Sequence, residues 1–151
     1  RCILKVQAPP GQVYRKEGFM KFNPDCMRDI LFYLEENLAF SDDLEPKYVS
    51  IQGLSENLPY TIQEIANMIL IMDDAGFISA SKFVSNNKIQ ELIVNRITYD
   101  GYQIIESIRP QTVWKKVKSV GRNVGSFSIS VISQIASGVL TPMVNSFLKN
   151  P

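Results

Sequence analysis

Apolar residues recur with the spacing of a helix soon after the start of the chain. Asn23, Pro24 and Asp25 favour, in that order, the N-cap, the first position and the first turn of a helix. The polar residues 35–37 end the pattern. The apolar stripe between them consists of Met27, Ile30, Leu31 and Leu34. We therefore predict a first helix over residues 24–37.

The strongest helix signals of the chain lie between residues 61 and 76. Thr61 and Glu64 have the spacing of a capping box, in which each side chain bonds a backbone N–H at the start of a helix. Gly76 is the residue type that ends helices in the left-handed conformation, and the apolar Phe77 follows it. The predicted buried stripe of this second helix is Ile62, Ile65, Ala66, Ile69, Leu70 and Met72.

A hairpin and a third helix follow. Residues 77–84 and 91–97 have the composition of strands, and the Asn86-Asn87 pair between them accepts the positive φ of a tight turn. Thr98 is a predicted N-cap for a helix that runs to about Arg109, before Pro110.

The segment between the first two helices has weaker signals. Residues 41–47 predict a polar loop, and residues 48–51 predict a short strand. The whole order predicts an α+β, mostly helical fold, with a winged-helix-like core over residues 20–110 made of helices, a short strand and a β-hairpin wing. Winged helices usually bind DNA or other proteins, so this prediction directs the search for function to binding surfaces.

Residues 111–151 predict a C-terminal helical appendage, basic at first and then amphipathic. Val113, Trp114 and Val117 share one face of its first helix, and lysines occupy the other. A later apolar stripe can bury against its own domain or against a second copy, and we predict a homodimer through residues 127–148. The dimerisation residues would be Ile132, Ile135, Val139, Leu140 and Phe147.

The uncharged run from Asn123 to Leu148 has 26 residues and is long enough to span a bilayer. Polar residues and glycines recur in it every two or three positions, so it favours a packing or dimerisation helix, and we predict no membrane role. Residues 1–19 show no clear period. Arg15-Lys16-Glu17-Gly18 before Met20 could be encoded by a ribosome-binding sequence, so this stretch predicts a translated leader, the alternative being a disordered arm.

Composition argues against several kinds of chemistry. The chain has no histidine, which removes the commonest general base and metal ligand, and its two cysteines cannot build a zinc site. Asp42, Asp43 and Glu45 do not have the spacing of a calcium loop. We predict no enzyme, no metal and no cofactor, and a cytoplasmic protein with reduced thiols in a bacterium or in the host of a phage.

Charge is distributed unevenly along the chain. Residues 20–108 contain six basic and fourteen acidic residues, for a net charge of −8, whereas residues 109–151 contain six basic and no acidic residues. The field of the middle block opposes phosphate binding there. The basic segment would therefore bind phosphate or pack on the acidic body.

Several short motifs together resemble a known family. Residues 20–31, Met-Lys-Phe-Asn-Pro-Asp-Cys-Met-Arg-Asp-Ile-Leu, are similar to the amino-terminal signature of the Domain of Unknown Function family twenty-five thirteen, found in bacteria, phages and mobile elements. The stretches 64–78, 96–101 and 112–114 agree in order, so that the resemblance covers about residues 20–140. It implies a winged-helix-like layout and carries no established activity.

Two functions from different classes follow. In the first, a small phage or mobile-element regulator reads double-stranded DNA, with amide side chains on base edges and basic side chains on phosphates. Its candidate nucleic-acid-binding residues are Gln63, Asn67, Lys82, Lys88, Arg96, Lys115, Lys116, Lys118 and Arg122. Each also fits an ordinary solvated surface. In the alternative, the same fold binds a host protein and no DNA, which the acidic charge of the second helix favours.

Overall fold

A computed structural model describes residues 20–125 and 128–138 as an α+β, mostly helical fold with small antiparallel sheets. The helices are α1 (Pro24–Asn37), α2 (Ile51–Asn57), α3 (Ile62–Asp74), α4 (Tyr99–Ile108), α5 (Gln111–Val124) and α6 (Ile129–Ser137). The strands are β1 (Ala39–Phe40), β2 (Pro46–Lys47), β3 (Val49–Ser50), β4 (Ile78–Ser85) and β5 (Lys88–Ile97).

The larger sheet has the order β3-β5-β4, with β5 in the centre and both pairings antiparallel. Strands β4 and β5 form a long hairpin whose two-residue turn, Asn86 and Asn87, has φ values of 52° and 60°. The predicted turn is confirmed, because this turn type requires two residues that tolerate positive φ. Strands β1 and β2 form a separate small hairpin.

The predicted helix starts are confirmed by their hydrogen bonds. The Asn23 side chain accepts from the backbone N–H of Cys26 at the start of α1. At the start of α3, the Thr61 hydroxyl accepts from Glu64 N–H while the Glu64 carboxylate accepts from Thr61 N–H, which completes the capping box. Thr98 caps α4 in the same way.

One continuous core holds the elements together. Buried residues of α1, α3 and α4 pack with the inner face of the larger sheet. Trp114 and Val117 of α5 and Ile132 and Ile135 of α6 belong to the same core. The basic and amphipathic segments are therefore packed on the body of the protein as far as Gly138.

Several local predictions need correction. Residues 41–45 form a loop as predicted, whereas Pro46 and Lys47 form β2, which pairs with β1 across that loop. Ile51 begins helix α2, which the sequence pattern missed, and the strand before it is only Val49–Ser50. Ile62 lies in the first turn of α3 but is 39% exposed rather than buried. Met68, which the predicted stripe omitted, is fully buried instead.

Some predictions concern parts of the chain outside the described residues. These are the leader or arm at residues 1–19 and the dimerisation residues Val139, Leu140 and Phe147. Within the described ranges, no helix is long and apolar enough to cross a membrane.

Gly76 ends α3 with φ of +80°, as its position predicted. A Cβ at this position would meet no atom within 4 Å, so a substitution there tests backbone conformation alone. We expect Gly76→Val to destabilise the protein by about 1 kcal/mol or more, because a β-branched residue resists positive φ. A urea melt measures this. Gly76→Asn is the control and should cost less, and equal costs for the two variants would contradict the explanation.

Candidate functional site

A surface groove lies where the start of α3 faces α2 and the hairpin strand β5. Its volume is about 210 Å³. Its lining residues are Ile51, Gln52, Ile62, Gln63, Ala66, Ile89, Gln90, Glu91 and Leu92. The groove thus combines the consecutive helices α2 and α3 with strand β5, which follows later in the sequence.

The lining has an apolar centre and an uncharged polar rim. Ile51 and Leu92 are buried, whereas Ile62 and Ile89 expose 39% and 45% of their surface. The rim residues Gln52, Gln63 and Gln90 are exposed, and Glu91 carries the only charge in the lining. A surface with exposed aliphatic side chains and amides can bind an apolar anchor and hydrogen-bond around it.

The start of α3 is held in place by α1. The Tyr60 hydroxyl, just before the N-cap, donates to Asp29 Oδ2 at 2.6 Å. Burial, together with this hydrogen bond, raises the pKa of Tyr60 well above its ordinary value. On the other side of the cap, Asn23 Nδ2 lies 3.5 Å from Glu64 Oε1. The groove wall formed by Ile62 and Gln63 is therefore fixed to the core.

The predicted base-reading residues fall in different places. Gln63 lines the groove, whereas Asn67 lies one turn further along α3, is partly exposed, and is not part of the lining. Lys82, Lys88 and Arg96 are exposed on the β4–β5 hairpin, outside the groove lining. The structure thus brings only Gln63 of this set into the groove.

Helix α3 has an unfavourable charge for a phosphate-binding element. It contains Glu64, Asp73 and Asp74 and no lysine or arginine. Two of these carboxylates accept backbone hydrogen bonds, Glu64 from Thr61 N–H and Asp73 from Ala80 N–H. These bonds leave the negative charge in place, and the charge of α3 repels a phosphate backbone.

The predicted basic cluster of α5 is divided by the fold. Lys118 forms an ion pair with Asp25 of α1, whose other oxygen accepts from Trp114 Nε1 at 3.1 Å. Lys115, Lys116 and Arg122 are exposed. One member of the cluster therefore fixes α5 to the acidic body, and three face solvent.

The predicted dimerisation residues are partly covered by the chain itself. Ile132 and Ile135 of α6 are 1% and 5% exposed and belong to the shared core, where α6 packs against α4 and α5. The homodimer through residues 127–148 stays a prediction. Over the described ranges, no cluster of acidic or cysteine side chains has the arrangement of a metal site.

Most of the groove lining has no recognisable signal in the sequence. The sequence pattern includes Ile62 in the predicted buried stripe of the second helix. It assigns Ile89 to no element, because the returning strand is predicted to start at Glu91. The missed helix α2 had one signal: Ser50 before Ile51 and Leu54, where the Ser50 hydroxyl caps Gly53 N–H.

Comparison with known proteins gives a family but no activity. Residues 21–128 match the family described as "Hypothetical protein (DUF2513)". A protein of Haemophilus influenzae, described as an uncharacterized protein, is 28% identical over 127 residues, which cover 83% of this chain and 99% of that protein. No solved structure matches the chain. The chain belongs to the DUF2513 family.

Proposed function

We propose that this protein is an interaction module of winged-helix type that binds a host protein through the groove between α3 and the β4–β5 hairpin. The element order α1, β3, α2, α3, β4, β5 and the sheet order β3-β5-β4 support the fold part of this proposal. In such an arrangement the hairpin is the wing, and α3 is the helix presented to a partner.

The observation that carries the proposal is the chemistry of the groove. Ile62 and Ile89 are exposed on its two sides, and its lining contains no basic residue. An apolar centre with an amide rim suits an aliphatic or aromatic anchor of a protein. A phosphate backbone would instead meet the carboxylates of α3 and Glu91.

A second candidate is the DNA-binding regulator of a phage or mobile element. Lys115, Lys116 and Arg122 form an exposed basic face on α5, and Lys82, Lys88 and Arg96 lie exposed on the hairpin. Basic residues on two elements are what a duplex would need for phosphate contacts.

A salt-dependent DNA titration separates the two candidates. We expect fluorescence anisotropy with a mixed-sequence duplex to show no binding tighter than about 10⁻⁴ M at 200 mM salt, the strength of weak non-specific contacts. If the protein is a DNA-binding regulator, binding should be tighter than this. Replacement of Lys115, Lys116 and Arg122 by alanine should then reduce the slope of log K against log salt concentration by about 3. That result would overturn the host-protein proposal.

A photo-crosslinking residue tests the groove directly. Placed at Gln63 in the groove, it should give a discrete cross-linked protein in cells, and Ile89→Asp should abolish that product. The matched control places the same residue at Tyr102, an exposed position on α4. The same products from both positions would show that the groove has no partner of its own.

A further inference from the structure

Strand β4 is an open edge of the larger sheet, as far as the structure describes the chain. Within residues 20–125 and 128–138, the order β3-β5-β4 leaves one side of β4 without a neighbouring strand, over eight residues that contain no proline. Open edges of this length present backbone N–H and C=O groups to any strand that can pair with them.

The direction of these groups follows from one hydrogen bond. Ala80 N–H points away from β5, since it donates to Asp73 Oδ1 at 3.0 Å. The β4–β5 pairing has two irregularities, at Ser79/Ala80 and at Phe83/Val84 of β4, and in both the extra residue lies in β5. The backbone groups of β4 therefore alternate regularly between its two sides from Ala80 to Ser85. The N–H and C=O groups of Lys82 and Val84 therefore also point outward.

Apolar side chains are exposed on both faces of this edge. Phe83 and Val84 are 62% and 50% exposed. Phe83 lies opposite Glu91, and Val84 lies opposite Ile89. An exposed phenylalanine on an open strand gains burial when a side chain of an added strand packs against it.

We propose that β4 pairs with β4 of a second copy, antiparallel and with Phe83 on the two-fold axis. In this register Lys82 of each copy forms a hydrogen-bonded pair with Val84 of the other. The two Phe83 rings then face each other in the non-hydrogen-bonded position, where side chains approach most closely. The contact is self-complementary, as a two-fold interface requires.

The residues along the edge exclude the neighbouring registers. A shift that centres the axis on Lys82 places two ammonium groups opposite each other and needs the N–H of Ala80, which Asp73 already occupies. A shift that centres it on Val84 places Lys82 opposite the turn residue Asn86, so fewer strand residues pair. With the axis at Phe83, the outward backbone groups of Lys82 and Val84 all form hydrogen bonds. The Lys82 side chains of the two copies do not lie opposite each other.

This pairing joins the β3-β5-β4 sheets of the two copies into one continuous sheet. Both grooves then lie on the same face of that sheet. Lys82 and Val84 share a face with Leu92 and Ile89, which line the groove, and strand pairing keeps that face common to both copies. The dimer thus has two grooves, both on the same face of the joined sheet. The inference does not depend on what the groove binds.

Light scattering on the full chain tests the pairing. The expected mass at tens of micromolar is twice 17.1 kDa. Phe83→Lys, at an exposed position, should halve that mass without changing the circular dichroism spectrum. Phe40→Lys is the matched control, since Phe40 is an exposed aromatic residue on the other hairpin, and it should leave the dimer intact. A monomeric parent chain, or a dimer that survives Phe83→Lys, overturns the proposal.

Cysteine cross-linking tests the register. In a Cys2→Ser background, in which the remaining Cys26 is buried, Phe83→Cys should form an intermolecular disulfide rapidly under a mild oxidant. Ser81→Cys, on the same strand face, lies opposite Ser85 of the partner in this register and should cross-link at least tenfold more slowly. Equal rates, or faster cross-linking through Ser81→Cys, would overturn the assigned register.

Discussion

Gly101→Ala is expected to lower the free energy of unfolding by about 3 kcal/mol or more, although alanine is the better helix former. A Cβ at Gly101 would lie 2.0 Å from the carbonyl oxygen of Phe77 and 2.7 Å from Ile97 Cγ2. The oxygen belongs to the backbone and also accepts a hydrogen bond from Thr98 N–H at 3.0 Å. Relief of the clash would therefore separate α4 from the start of β4.

A chemical melt followed by circular dichroism measures this change, and Gly53→Ala is a closely matched control. Gly53 and Gly101 each occupy the third position of a helix, and each donates its N–H to the hydroxyl of the N-cap. A Cβ at Gly53 would meet only Ser50 Oγ, at an ordinary 3.5 Å. We expect this control to be neutral or slightly stabilising. A neutral result for Gly101→Ala as well would show that α4 does not approach Phe77 this closely.

Trp114→Ala is expected to cost about 3–5 kcal/mol, as for other large buried aromatic residues. Trp114 is 5% exposed, its indole N–H bonds Asp25, and the Arg28 guanidinium lies 5.2 Å from the ring centroid. The same Arg28 side chain donates to the backbone carbonyls of Ile108 and Arg109 at the end of α4. The ring therefore joins α1, α4 and α5, and its loss leaves a cavity between them.

The test is far-UV circular dichroism in denaturant, because Trp114 is the only tryptophan and its fluorescence is lost in the variant. We expect one cooperative transition, shifted to lower denaturant. Tyr102→Ala, at a half-exposed aromatic position of α4, should change stability by less than about 1 kcal/mol. A loss of α5 helicity with the main transition unchanged would mean that α5 is a separable appendage rather than part of the core.

Helix boundaries in this protein could be predicted because their causes are local. The caps Asn23, Thr61 and Thr98 satisfy backbone N–H groups within three residues of themselves. The Asn86-Asn87 turn depends only on which residues tolerate positive φ. Helix α2 was missed because its seven residues are too few to show a period and its single cap resembles a loop serine.

The roles of several surface residues could not be predicted in the same way. Lys118 belongs to a basic run with Lys115 and Lys116, and only its contact with Asp25, 93 positions away, separates it from them. Ile62 fits the apolar pattern of α3, yet the packing of α2 and β5 leaves it at the edge of a groove. Sequence periodicity identifies an apolar face but not which neighbour, if any, covers each member of that face.

The sequence by itself determined the α+β class, the starts and ends of α1, α3 and α4, the hairpin turn and the family, because caps, turns and motifs act over a few residues. The tertiary structure alone decided the groove, the docking of α5 through Trp114 and the open edge of β4. These features depend on side chains and strands that meet after long separations along the chain. Gly101 shows the difference: its place after Thr98 is a sequence motif, but the nearby carbonyl of Phe77 gives the physical reason for a glycine.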